Sequence, residues 1–231
     1  MYRNSRACAV YGSTITGYAQ HTNTGYAHPC MWTGPSHTFT DLFVASRMQF
    51  GYAYATDGTL VGGSVIYKNT STYHATIWNG TAASALDLNP AGYTTSEIVG
   101  MIPGIQMGYV KRAGFGEEAA LWRGTPESLH IIAPEGVISS KLYDSDGTRF
   151  VGFVRSTGWA SAAIWWGEDA ATIEDIGALV KGAESTWAVD ISSEPNGDIV
   201  VAGNAIFSTP VQITRGVVWR WSPLRHAKPE E

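Results

Sequence analysis

Cysteine is scarce in this chain, since Cys8 and Cys30 are the only two among 231 residues. So few cysteines exclude the disulfide-rich class of small secreted scaffolds. Charged residues make up only 15% of the sequence, the net charge is −5, and Lys and Arg form no cluster. This charge balance argues against a nucleic-acid-binding surface. No apolar run reaches the length of about 18 residues that a membrane-spanning helix needs, so we expect no membrane span.

Helical and targeting signals are missing as well. The stretch from Met1 to Ser5 has no basic segment followed by an apolar one, so we expect no signal peptide in this sequence. The best helix candidate, residues 178–183, is too short and has no capping residue. What the chain has instead is 26 Gly, 9 Trp, 11 Tyr and 7 Phe. Aromatic residues suit pleated strands and glycines suit tight turns, so the composition predicts an all-β protein.

One motif returns five times: small or apolar residues that run into a tryptophan. The five tryptophans are Trp32, Trp78, Trp122, Trp165 and Trp219, at intervals of 46, 44, 43 and 54 residues. A repeat of this length is typical of a propeller blade with four short strands. We therefore predict a five-bladed β-propeller-like fold, about 45 residues and four short antiparallel strands per blade, in a single repeat domain over 1–231. The predicted repeats cover residues 2–45, 46–90, 91–134, 135–178 and 179–222, with a tail at 223–231.

Turn signals support these repeats. Asp57-Gly58, Asp146-Gly147 and Asn196-Gly197 are the dipeptides expected at the tips of β-hairpins. After each turn comes a glycine at one equivalent position, and we predict this set to be Gly17, Gly62, Gly108, Gly152 and Gly203. The fourth strand of the fifth repeat comes from residues 222–228, is absent, or lies outside this chain, so ring closure stays open.

The order of these segments resembles the HAF repeat of bacterial extracellular proteins. The fifth repeat and the segment that leads into it carry the resemblance best: residues 173–179 read IEDIGAL, residues 182–192 read GAESTWAVDIS, and residues 196–203 read NGDIVVAG. The third repeat departs from the pattern, because His130 stands where the first, second and fourth repeats have Asp41, Asp87 and Asp175. The resemblance implies an extracellular or cell-surface propeller-like domain and transfers no catalytic residue. In period and blade number alone, the chain is also similar to five-bladed lectins of the tachylectin type, which bind sugars once per blade.

Several residues are candidates for chemistry or binding. Asp57 and Asp146 precede Gly and are expected turn residues, whereas Asp144 and Asp190 interrupt inner strands. Trp159, Trp166 and Trp187 fall outside the tryptophan register. An aromatic ring with one solvent-exposed edge suits stacking on a sugar or contact with a protein partner. We take these three tryptophans with Asp144 and Asp190 as the candidate ligand-binding residues, and no residue as catalytic.

Metal, cofactor and disulfide signals are weak. The six histidines show no metal-ligand spacing, and His28 and His74 occupy equivalent strand-entry positions, so we predict no metal and no cofactor. Cys8 and Cys30 fall in the first and third strands of one repeat, roughly 9–10 Å apart by the spacing of strands. A disulfide needs Cα atoms within about 7 Å. We therefore predict two buried free thiols.

The sequence as a whole favours a non-enzymatic binding scaffold for a protein or carbohydrate ligand. Two alternatives stay open. One is a multivalent lectin with up to five equivalent pockets, and the other is a glycoside-active enzyme that uses acids on the inner strands. Equal pockets lined by repeated residues would indicate the lectin, and one acid-lined funnel would indicate the enzyme.

Overall fold

The computed structural model describes residues 1–208 and 211–222, and its regular structure there is almost entirely β-strand. The chain divides into two compact bodies, residues 1–131 and 132–231, which we call the N-terminal and C-terminal bodies. Helix in the described residues is limited to short 3₁₀ turns: Ala82–Ser84, Pro126–Ser128, Ala170–Thr172 and Gly177–Leu179. Within the described ranges, none of the helices has the length and apolar character to cross a membrane.

The N-terminal body holds three four-stranded antiparallel sheets, each a meander in which consecutive strands pair. The first sheet consists of β1 Tyr2–Tyr11, β2 Thr14–His21, β3 Ala27–Thr33 and β4 Thr38–Asp41. The second consists of β5 Met48–Thr56, β6 Val61–Tyr67, β7 Tyr73–Trp78 and β8 Leu86–Asp87. The third consists of β9 Thr95–Ile102, β10 Ile105–Lys111, β11 Glu117–Trp122 and β12 His130–Ile131.

The C-terminal body holds one four-stranded and one three-stranded antiparallel sheet. Their strands are β13 Ser139–Ser145, β14 Phe150–Arg155, β15 Ser161–Trp165 and β16 Ile173–Asp175; β17 Ser185–Ser193, β18 Ile199–Phe207 and β19 Ile213–Trp221. Each predicted repeat thus forms one antiparallel sheet, which confirms the fold class. The predicted fourth strand of the fifth repeat falls on residues 223–228, outside the described part of the chain. That residues 1–231 form a single domain stays a prediction.

Four of the five repeated tryptophans are core residues. Trp78, Trp122 and Trp165 are fully buried and Trp219 is 6% exposed. The indole N–H of Trp78 donates to the carbonyl of Leu42 at 3.0 Å, and the N–H of Trp219 donates to that of Ile176 in the same way at 2.9 Å. Each of these carbonyls follows the last strand of the preceding repeat. The tryptophan therefore joins two successive repeats with one buried hydrogen bond.

Trp32 departs from the predicted core role because it is only half-buried. Its ring lies 5.9 Å from that of Phe39, which is itself 39% exposed.

A bulge and a glycine recur together in every sheet. The first strand of each sheet has a register shift, and the second strand places a glycine opposite it. An added Cβ on that glycine would overlap the carbonyl oxygen of the first strand, so the backbone approach requires glycine. In the second repeat this residue is Gly63, which pairs with Ala53, and not Gly62 as predicted. The prediction was wrong by one residue because the tryptophan register, which pairs Val61 with Trp78, places the equivalent glycine two residues after Val61.

The two cysteines are both free, as predicted, but only Cys30 is buried. Cys8 is exposed and lies at the bulge between Ala7 and Ala9. A bulge residue falls outside the strict alternation of inward and outward side chains. The prediction of a buried Cys8 was therefore wrong.

Candidate functional site

A cleft of about 460 Å³ opens in the N-terminal body between residues of the first sheet and strand β5 of the second. This volume lies within the range of small-ligand pockets. Its lining combines aromatic rings, amide side chains and one cation: Asn4, Ser5, Arg6, Tyr18, Gln20, Gly25, Tyr26, Ala27, Phe50 and Tyr52. None of these lining residues is acidic.

The aromatic side of the cleft is a set of rings that support one another. Tyr18 meets Tyr52 edge to face with centroids 4.9 Å apart, and Tyr26 stacks on Phe50 at 5.7 Å. Behind them, Tyr73 lies 5.8 Å from Phe50 and 6.2 Å from Tyr52. Tyr26 is 47% exposed, so its ring packs on Phe50 while much of it faces solvent. Such a half-covered ring suits stacking against an apolar ligand face.

Tyr26 is held by the tight loop between β2 and β3. The amide of His21 donates to the carbonyl of Tyr26 at 2.9 Å, and the amide of Gly25 donates to the carbonyl of His21 at 2.8 Å. Gly25 has a φ of 72°, in the region where glycine has no steric cost. The side-chain amide of Gln20 donates to the Gly25 carbonyl at 2.8 Å. Hydrogen bonds thus hold the backbone of the loop at Tyr26, and the ring itself packs on Phe50.

The polar side of the cleft comes from β1 and β2. Both Arg3 Nε and Asn4 Nδ2 donate to Oε1 of Gln20, each at 3.2 Å. Arg6 lies across from Tyr18 in the β1–β2 pairing. Arg6 is exposed, and its guanidinium makes no hydrogen bond or ion pair with any described residue. Amides and a guanidinium group beside stacked rings are the donors that recognise hydroxyl and carboxylate oxygens.

Arg6 and Tyr52 occupy the same place in their sheets, directly before the residue that pairs with the bulge glycine. The equivalent residues in the five sheets are Arg6, Tyr52, Glu97, Lys141 and Trp187. Their partners on the second strand are Tyr18, Ser64, Tyr109, Phe153 and Asn204. This row differs in charge and size from sheet to sheet, so it does not supply five chemically equal pockets.

Except for the candidate Trp187, sequence reasoning missed this row. It also missed Tyr18, Tyr26 and Phe50, because these residues belong neither to the tryptophan repeat nor to the acids of the inner strands. One signal was available: Phe50, Tyr52 and Tyr54 alternate along one strand, which places three rings on one face. The contact of these rings with Tyr18 and Tyr26 depends on how two sheets pack, and no local pattern encodes it.

The two acids singled out from the sequence do meet. In the C-terminal body the carboxyl groups of Asp144 and Asp190 hydrogen-bond to each other. Asp144 Oδ2 also accepts from the backbone N–H of Ile191 at 3.0 Å. Burial, reinforced by the hydrogen bond with Asp190, raises the pKa of Asp144 to about 7. Glycosidases hold their two carboxyl groups about 5 Å or more apart, so this hydrogen-bonded pair does not have that spacing.

Asp146, two residues further along, has the turn role predicted for it. Its Oδ1 accepts from the amides of Thr148 and Arg149, at 3.0 and 2.8 Å, and its Oδ2 accepts from Ser193 Oγ and Arg149 Nη1, both at 2.7 Å. Burial opposes ionisation of Asp146, but these hydrogen bonds outweigh it and lower the pKa of the carboxyl. The guanidinium of Arg149 lies 5.4 Å above the ring of Trp166. Trp166 is therefore a packing partner of this network.

The other two candidate tryptophans lie in different surroundings. Trp159 is 58% exposed and borders a cavity of about 400 Å³ that also includes Val180 and Lys181. Trp187 is half-buried on β17. Of the five candidate ligand-binding residues, the structure brings Asp144 and Asp190 into contact, and their role in binding stays a prediction.

The equivalent histidines form equivalent polar pairs. His28 Nδ1 lies 3.2 Å from Asp41 Oδ2, and His74 Nδ1 lies 2.8 Å from Asp87 Oδ2. Asp41 also accepts a hydrogen bond from the hydroxyl of Tyr2. The two histidine–aspartate contacts join the third and fourth strands of their sheets. In the part of the chain that the structure describes, no group of three or more His, Cys, Asp or Glu is arranged to hold a metal ion.

No protein-family model and no curated protein matches this sequence. Solved structures with a similar fold exist. A post-proline cleaving enzyme from Rickettsia typhi has a TM-score of 0.53 and 11% identity over 94% of this chain and 38% of its own. An acylaminoacyl peptidase from Pyrococcus horikoshii has a TM-score of 0.51 and 14% identity over 87% and 32%. TolB from Acinetobacter baumannii has a TM-score of 0.50 and 12% identity over 70% and 40%.

The fold is of the β-propeller type. The chain spans between about a third and two fifths of the length of these structures. At such low identity the likeness shows the fold alone, because one scaffold hosts many unrelated functions.

Proposed function

We propose that this protein is a non-enzymatic propeller-type binding scaffold whose cleft beside Tyr26 binds carbohydrate. The observation that carries the proposal is the half-exposed ring of Tyr26, stacked on Phe50 and positioned by a tight loop. Sugar rings offer an apolar C–H face and a rim of hydroxyls. A ring with one open side and the amides of Asn4 and Gln20 supply the two complementary surfaces.

A single site fits the structure better than five equal ones. The row of Arg6, Tyr52, Glu97, Lys141 and Trp187 changes its chemistry in every sheet. Carbohydrate binding at this cleft therefore requires the combination found in the first two repeats. The resemblance to the HAF repeat and the extracellular or cell-surface location that it implies remain part of this proposal.

A protein ligand is the second candidate. Trp159 is 58% exposed beside a cavity of the C-terminal body, and exposed aromatic residues next to a pocket are frequent anchors in protein interfaces. This candidate uses a different surface, so the two can be separated by mutation.

A glycan-array screen of the purified chain, followed by calorimetry on each hit, tests the proposal. We expect one site per chain and at least a tenfold loss of affinity in Tyr26→Ala, because the substitution removes the open ring. Trp159→Ala, which removes an exposed aromatic ring outside the cleft, is the matched control and should leave sugar affinity unchanged. Absence of sugar binding, or a loss in Trp159→Ala with none in Tyr26→Ala, would overturn the proposal.

A further inference from the structure

The charge of the cleft lining is opposite in sign to the net charge of the chain. The whole chain has a net charge of −5. The cleft lining contains Arg6 and no acidic residue. Arg3 stands nearby, since its Nη2 lies 3.6 Å from the position that a Cβ on Gly25 would take. A local positive charge on an acidic protein is a recognition feature for an anion.

The guanidinium of Arg6 is available to bind an anion. Arg6 pairs with Tyr18 through the backbones of β1 and β2, whereas its guanidinium forms neither a hydrogen bond nor an ion pair within the described residues. Arg3, in contrast, donates to Gln20. The planar guanidinium of an arginine binds a carboxylate through two parallel hydrogen bonds, which gives both energy and orientation.

We infer that the cleft recognises an acidic carbohydrate, one whose sugar carries a carboxylate group such as a uronic acid. The ring of Tyr26 receives the apolar face of the sugar, the amides of Asn4 and Gln20 receive its hydroxyls, and Arg6 pairs with the carboxylate. This inference rests on the proposed function and adds to it the charge of the ligand.

The same residues disfavour other ligands of an aromatic cleft. Aromatic cages bind quaternary ammonium groups through the faces of their rings, but Arg6 on the lining repels a cation. Single-stranded nucleic acid also stacks on aromatic rings, yet it needs a positively charged track along its backbone. Among the lining residues, Arg6 supplies the one positive charge. The cleft therefore fits one carboxylate better than a chain of phosphates.

Calorimetry with trigalacturonic acid and with the neutral trisaccharide galactotriose tests the inference on the whole chain. We expect the acidic sugar to bind at least tenfold more tightly, and added salt to weaken the acidic sugar only. Arg6→Gln should bring its affinity down to that of the neutral sugar and leave the neutral sugar unaffected, whereas Arg6→Lys should retain part of the preference. Arg215→Gln, which removes an exposed arginine of the C-terminal body, is the matched control and should change neither affinity.

The outcomes separate the two proposals. If both sugars bind equally and Arg6→Gln changes nothing, the preference for acidic sugars is wrong and carbohydrate binding stands. If neither sugar nor any arrayed glycan binds, the proposed function fails as well. A short oligothymidylate that binds more tightly than trigalacturonic acid, and loses this affinity in Arg6→Gln, would assign the cleft to nucleic acid and overturn the inference.

Discussion

Asp144 on β13 and Asp190 on β17 join two sheets of the C-terminal body through a hydrogen bond between their carboxyl groups. Such a bond requires a proton on one of the two oxygens, so one carboxyl is neutral while the contact exists. Asp144 is the more buried partner and also accepts from the N–H of Ile191. The contact is therefore a proton-dependent link between β13 and β17.

This link predicts a pH-dependent stability. The pKa of Asp144 is raised from 3.8 to about 7 in the folded protein. Between these two values the folded chain binds more protons than the unfolded chain, so stability falls as pH rises through this window and levels off above it. Asp144→Asn removes the titrating group. We expect the melting temperature of the native protein to fall relative to this variant by a few degrees between pH 4 and pH 7.5.

Asp57→Asn serves as the control. Asp57 accepts hydrogen bonds from the backbone N–H groups of Thr59 and Leu60 in a turn equivalent to that of Asp146, and an asparagine side chain can keep these bonds. Thermal scans of all three proteins across the pH range check the prediction. Parallel curves for the native protein and Asp144→Asn would refute the shared proton.

A second prediction concerns the stability effect of a substitution at a bulge glycine. A Cβ on Gly63 would overlap the backbone carbonyl of Tyr52, so Gly63→Ala must push two paired strands apart. We expect a loss of about 2–3 kcal/mol in the free energy of unfolding, as for other overpacked sites. Gly158→Ala is the control, since a Cβ there meets no atom within 4 Å. Urea denaturation measures both variants, and equal effects would contradict the role of the close approach.

A comparison of Trp78 and Trp122 distinguishes the contribution of a buried hydrogen bond to stability from that of packing. The N–H of Trp78 donates to Leu42, whereas the buried N–H of Trp122 has no partner in the described ranges. Both rings are fully buried. Trp78→Phe and Trp122→Phe remove similar volume, but only the first leaves a buried carbonyl without its donor. We expect Trp78→Phe to cost about 1–2 kcal/mol more than Trp122→Phe.

Chemical denaturation of the two variants measures this difference. Circular dichroism first establishes that both keep the β-sheet content of the parent. A larger loss in Trp122→Phe would show that the carbonyl contact of Trp78 does not contribute to stability.

The two thiols should react at very different rates. Cys8 is exposed. Burial raises the pKa of both thiols, and it raises that of Cys30 to about 12, with the charge of Asp41 adding to the effect. Thiolate is the reactive form, so Cys30 is protected by both access and ionisation. We expect an aryl disulfide reagent to label one thiol in the native protein and two after denaturation. Cys8→Ser should remove the native signal, and its persistence would show that Cys30 is the reactive thiol.

Much of the fold could be predicted from local patterns. The spacing of Trp78 and Trp122 marks the repeat, and Asp57 and Asp146 mark hairpin turns that form as expected. Pleated strands and tight turns depend on residues close in sequence, so these features need no knowledge of packing. The choice of Gly62 over Gly63 shows the limit, because the two glycines are adjacent and only the pairing of Val61 with Trp78 decides which of them lies opposite the bulge.

The sequence by itself therefore determined the class of fold, the five repeats and the core role of four of their tryptophans, since each depends on the periodicity of one strand. Only the tertiary structure decided that Tyr26 stacks on Phe50 and that Arg6 stands free beside them. It also decided that Asp144 meets Asp190. These pairs lie on different sheets, and the distance between their side chains depends on how whole sheets pack. Packing of this kind follows from the sum of many buried contacts, so no short segment of sequence carries it.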